Sequence, residues 1–96
     1  MHPESARSWA ERRSEPRRPA RGQVFVNLTE LPHVEFAGEL LDVSNSGFRA
    51  AHTCRELHSG QTVRFNYDGA SGEARVVWTR IEDQRVESGF FVLASD

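Results

Sequence analysis

The chain reads as an all-β domain with an arginine-rich N-terminal arm. Three observations predict it. Short segments with apolar residues at period two recur from residue 24 to residue 93; clusters of Gly, Asn, Asp and Ser separate them; and no segment carries the 3.6-residue apolar period of an amphipathic helix. Short strands punctuated by turns, without a helix, make a barrel or a sandwich.

The elements follow in order. Residues 1–21 are rich in Arg, Pro, Ser and Glu, and Pro3, Pro16 and Pro19 interrupt any long helix. This segment reads as an arm, mobile when alone. From Gly22 the texture changes. Val24, Val26 and Leu28 alternate with Phe25 and Asn27 in a first strand, and Val34, Phe36, Gly38 and Leu40 alternate through a second. Asp42 to Gly47 is a turn by composition, and Phe48 to Ala51 a short third strand. Thr62 to Tyr67 is a fourth strand, with Val63, Phe65 and Tyr67 on one face. Asp68 to Gly72 is a hairpin loop, Glu73 to Ile81 a fifth strand and Val86 to Leu93 a sixth. The 96 residues make one domain, an arm over 1–21 and a β-body over 22–96.

Composition narrows the function. Hydrophobic content of 38% and charged content of 27% are ordinary for a globular domain. No apolar run approaches the roughly 18 residues of a membrane-spanning helix, and no apolar stretch follows the N-terminal arginines as in a secretory signal. One cysteine, Cys54, forms no internal disulfide, so a reducing cytoplasm is the expected compartment. The net charge of −2 hides an asymmetry: residues 1–23 hold six arginines against three glutamates, net +3, and the remainder six arginines against eleven acids, net −5. A basic arm on an acidic body argues against a nucleic-acid binder, which wants a broad basic face. It suits a compact anion held mainly by the arm. All twelve cations are arginine, whose planar fork matches phosphate oxygens and the O6/N7 edge of guanine.

Catalytic and metal patterns do not emerge. His52, Cys54 and His58 match no standard zinc spacing and lack a fourth ligand. No nucleophile–base–acid order, paired catalytic carboxylates or phosphate-cradling glycine loop stands out. A binding module is expected, not an enzyme, and it needs no cofactor.

Two short motifs carry the chemistry. Arg-x-x-x-Arg stands at Arg13 and Arg17, after Glu11-Arg12, and Asp-x-Ser-x-x-Gly at Asp42, Ser44 and Gly47. Alone, the first is what any arginine-rich tail contains, and Arg17 with Arg21 also fits it; the second is a common turn composition. In this order and on this strand plan they resemble the PilZ domain, a bacterial receptor for cyclic di-GMP. The resemblance extends from Glu11 through Gly60, Val77-Trp78 and Gly89-Phe90-Phe91.

The resemblance implies a six-stranded antiparallel β-barrel and a ligand, cyclic di-GMP, taken up by many members as an intercalated dimer. It places Arg13 and Arg17 in a segment folding over the ligand, Asp42, Ser44 and Gly47 against a guanine, and Trp78 near the site, where it can stack on a base. Arg12, Arg18, Arg21 and Gly89 are additional candidates; Trp9 has no assigned role. Physical chemistry fits each role. Arginine forks meet phosphate and the guanine O6/N7 edge. The donor-only N1–H and N2–H2 edge wants a carboxylate such as Asp42. Ser44 supplies a hydroxyl, and Gly47 permits a positive φ or close ligand approach. The expected mechanism is ordering of the arm on the ligand, which presents a new surface to an effector protein; neither nucleic acid nor membrane is expected as partner. The alternative is a PilZ-like domain that binds no nucleotide and docks on a motility or secretion component.

Overall fold

Alternation in the sequence becomes an inside and an outside in the structure, a computed structural model that describes residues 16–96. Seven strands form: β1 (Arg18–Pro19), β2 (Gln23–Leu28), β3 (Glu35–Val43), β4 (Gly47–His52), β5 (Thr62–Tyr67), β6 (Ala70–Glu82) and β7 (Arg85–Ser95). Every pairing is antiparallel, in the order β3-β2-β5-β6-β7-β4, and β4 pairs back onto β3. That closes a six-stranded barrel, the architecture expected from the resemblance, and closure removes the exposed strand edges that promote aggregation. The additional strand is β1, which pairs with Asp42 and Val43 at the end of β3. It continues the line of β2 along the same edge of β3, and Gly22, at φ 110°, takes the kink between them.

The inward residues fill the barrel. Val24, Val26, Leu28, Leu40, Val63, Phe65, Val76 and Phe90 are buried around Phe48. The Phe48 ring stacks on Phe90 at 4.7 Å between centroids and meets Phe65 at 5.2 Å and Tyr67 at 5.3 Å. Such aromatic contacts add to the burial energy of the rings.

Three local features differ from the sequence reading. Asp42 and Val43 belong to β3, so the turn is only Ser44–Ser46, closed by the Ser44 N–H donating to the Gly47 carbonyl at 2.8 Å. The loop expected over 68–72 contracts to Asp68-Gly69, both at positive φ, because Tyr67 already pairs with Ala70; Asp-Gly favours such a two-residue turn. The described part of the arm, residues 16–21, lies along β3 through β1 and a hydrogen bond from the Ala20 N–H to the Leu41 carbonyl at 3.2 Å.

Two bulges set what faces outward. Leu40 pairs with Ala50 and Asp42 with Arg49, leaving Leu41 as an extra residue. A regular ladder would turn Asp42 inward opposite Phe48; the extra residue puts Val43 there and turns Asp42 out beside Arg49. Likewise Val76 pairs with Phe90 and Trp78 with Gly89, so Val77 is extra and Trp78 faces out.

Beside the second bulge, His52 is 5% exposed and stacked on Phe36. Its Nδ1 accepts the Cys54 N–H at 3.1 Å, so Nε2 carries the ring proton and donates to Ser88 Oγ at 2.8 Å. Ser88 Oγ is 2.9 Å from Thr79 Oγ1, tying β6 to β7 from inside. Burial pulls the His52 pKa down from 6.5 to about 4. The neutral form is favoured on folding, so its stabilisation is complete above pH 6.5 and declines as the pH falls from 6.5 toward 4. The loss is expected to reach at most about 3 kcal/mol, less any screening by solvent. Urea unfolding at pH 7 and pH 4 checks this: His52→Asn is expected to flatten the pH dependence by up to that amount, and an unchanged dependence refutes it.

Candidate functional site

The bulges align one rung across four strands on the outer wall: Asp42 on β3, Arg49 on β4, Gly89 on β7 and Trp78 on β6. At about 4.8 Å per strand it is roughly 14 Å long. Glycine inside the rung gives the Trp78 indole room to lie over it, and a hollow bordered by that indole and Arg49 remains. This is an open groove of about 520 Å3 lined by Arg17, Ser44, Ser46, Gly47, Arg49, Val77, Trp78, Gly89, Phe90 and Phe91.

The sequence-predicted residues fall as follows. Arg17, Ser44, Gly47, Trp78 and Gly89 converge on the groove. Asp42 stands behind it, 8% exposed, and holds its arginines. Arg17 Nη1 donates to Asp42 Oδ1 at 2.8 Å. Arg49 donates to Oδ2 through Nε at 2.8 Å, and its Nη2 is ion-paired with the same oxygen at 2.6 Å. That hydrogen bond, more than the surrounding charge, raises the Arg49 guanidinium above its ordinary pKa. Arg18 and Arg21 are exposed and do not line the groove. Arg12, Arg13 and Trp9 lie outside the described residues.

Gly47 lines the groove, but not through a left-handed backbone. Its φ is not positive. A Cβ there would overlap the Phe90 carbonyl oxygen, and would stand 3.2 Å from the Phe90 carbonyl carbon and 3.4 Å from Phe91 Cα. The close approach it permits is that of β7 to β4.

Sequence reasoning missed Arg49, Phe91 and Glu87. The signal for Arg49 was available: between Phe48 and Ala50, it must share the outer face with Gly47. Glu87 extends the charge network, with Oε1 3.9 Å from Arg49 Nη1 and 3.2 Å from Arg80 Nη2, and Oε2 3.2 Å from Arg85 Nη2. Arg80 Nε also stands 3.8 Å from Glu82 Oε2, so four arginines meet three carboxylates along this wall, a local excess of cation on an acidic body. The Arg80 guanidinium stands 6.0 Å from the Trp78 ring centroid.

The combination is specific in chemistry. Two preset guanidinium groups favour an anion, and the adjoining Val77, Trp78 and Phe91 favour a flat apolar ring. By contrast, among the described residues the hollow of about 610 Å3 over β2, β3 and β5 has only Arg64 as a cation, and that is paired with Asp96 at 2.5 Å. Among the described residues no three His, Cys, Asp or Glu side chains gather closely enough to hold a metal ion, and no helix is long and apolar enough to cross a membrane.

No curated protein matches the chain. A family model does: the PilZ domain model matches residues 11–92, from the arginine motif through the groove-lining part of β7. With a closed six-stranded barrel beneath that match, the chain belongs to the PilZ domain family.

Proposed function

We propose that this domain is a receptor for cyclic di-GMP rather than an enzyme, and that it passes the signal to an effector protein through its N-terminal arm. The observation that carries the reading is the meeting of Arg17, Arg49, Ser44 and Trp78 in one groove of a PilZ barrel. Arg17 and Arg49 meet the two phosphates and a guanine O6/N7 edge. Asp42, behind the groove, holds these two arginines, and its remaining acceptor lone pairs are the ones open to a guanine N1–H and N2–H2 edge. Ser44 adds a hydroxyl, and Trp78 takes a base by stacking. Arg13 joins from the arm, four residues before Arg17. An intercalated ligand dimer fits the same division into phosphate and base contacts.

The test is calorimetric titration of the full chain with cyclic di-GMP at two salt concentrations. Binding is expected, weaker at high salt because exposed charges are screened. Trp78→Ala is expected to lose about 1–3 kcal/mol of binding free energy, the usual worth of one base stacked on an aromatic side chain. Absence of heat and of NMR shift changes at high micromolar ligand overturns the reading.

A second reading has one observation in its favour. Both oxygens of Asp42 already accept arginine donors, so the charge of Arg17 and Arg49 is partly neutralised within the chain. On that reading the barrel binds no nucleotide and docks on a motility or secretion component. The same titration separates the two.

A further inference from the structure

Gly89 lies in the middle of the rung, between Arg49 on one side and Trp78 on the other. A Cβ at this position would overlap Trp78 Nε1, and would stand 2.7 Å from Cε2 and 3.1 Å from Cδ1. All three of these nearest atoms belong to one side chain. At Gly47 the obstacle is a backbone carbonyl, so that glycine is required for the barrel to close. At Gly89 the obstacle is an indole, which can swing away.

The indole therefore leans over β7 with its pyrrole edge seated on Gly89. The Val77 bulge makes this possible, because it pairs Trp78 with Gly89 and turns the ring out of the barrel. Arg80, the next outward residue of β6, stands 6.0 Å from the ring centroid and is tied to Glu87. Arg49 and Trp78 are two strand spacings apart, about 10 Å. An indole standing upright between them would fill the space a base needs. Seated on Gly89, it offers a platform beside Arg49 instead.

We infer that Gly89 is a positioning residue: it touches no ligand itself but seats the Trp78 indole as the stacking platform of the groove, for a planar purine ring carried by an anionic nucleotide. The part of this inference that concerns the ligand rests on the proposed function; the seating of the ring does not.

A double-mutant cycle tests it, in a Trp9→Phe background so that Trp78 is the one indole. The variants are Gly89→Ala, Trp78→Ala and the pair. Without ligand, Gly89→Ala is expected to move the Trp78 indole N–H resonance and change the near-ultraviolet circular dichroism while thermal unfolding stays close to the parent. With cyclic di-GMP, Gly89→Ala is expected to weaken binding about tenfold when Trp78 is intact and less than twofold when it is combined with Trp78→Ala. Equal losses in both backgrounds, or an indole resonance that does not move, overturn the inference. If the parent takes up no cyclic di-GMP, the functional reading fails, and the ligand-free resonance still decides whether Gly89 seats the ring.

Discussion

Gly47→Ala is expected to destabilise the barrel by at least about 3 kcal/mol, the upper part of the range for overpacking. The added methyl meets the Phe90 carbonyl oxygen, which belongs to the ladder that closes β4 against β7. A flexible side chain could rotate aside, but a paired carbonyl cannot move without loosening its strand. The damage is transmitted to the core, because Phe48 and Phe90 stack directly beside the displaced pair. For a domain of this size a loss of about 3 kcal/mol corresponds to roughly 12–24 °C in Tm. Thermal unfolding measures it, and hydrogen exchange along β4 and β7 locates it. A Tm within about 3 °C of the parent, less than a 1 kcal/mol loss would produce, refutes the steric argument. Gly47 is thus a motif residue whose first duty is structural: it lets the strands that line the groove lie side by side.

The parts of the fold that follow from period two were legible in the sequence. Val24, Val26 and Leu28 point inward as their alternation requires, and so do Val63 and Phe65. The bulges were not legible. An extra residue at Leu41 or Val77 is invisible in a run of apolar residues, because either face of the strand can accept it. Yet those two residues decide that Asp42 and Trp78 face the solvent side of the wall. The same blindness kept Asp42 in a turn by its composition, while the structure pairs it with Pro19 and Arg49 in a ladder. The arginine at position 49 stayed hidden for a different reason. Alternation alone puts it on the outer face, but its meaning depends on Asp42, which only the Leu41 bulge sets beside it across the β3–β4 hairpin, and on Glu87 from the sequence-distant β7.

The charge network gives the groove order before any ligand arrives. Asp42 fixes Arg17 and Arg49 from behind, so two long side chains lose freedom during folding rather than during binding. The acidic body and the paired carboxylates temper this cationic wall, which favours a small dianion reaching short, directed donors over a long polyanion tracking many phosphates. β1 serves the same end, because its register with Val43 and Asp42 fixes where Arg17 leaves the barrel surface.

Arg17→Ala is expected to weaken cyclic di-GMP binding by about 10–100-fold, the worth of a charge-assisted hydrogen bond to an ionised group. Stability should change little. The Arg17 side chain is 42% exposed, and a pair of that kind contributes about 1 kcal/mol or less. The binding loss therefore reports on the ligand and not on unfolding. Arg17→Lys keeps the charge but not the planar fork, so it should fall between the parent and the alanine variant. Arg18→Ala and Arg21→Ala separate a directed contact from general tail charge: both side chains are exposed and away from the groove, so each should cost about threefold or less. Calorimetry on the four variants, each with a melting curve, decides the matter. Binding undiminished in Arg17→Ala, or losses of equal size at all three arginines, would refute a clamp at Arg17 and leave only diffuse attraction by the arm.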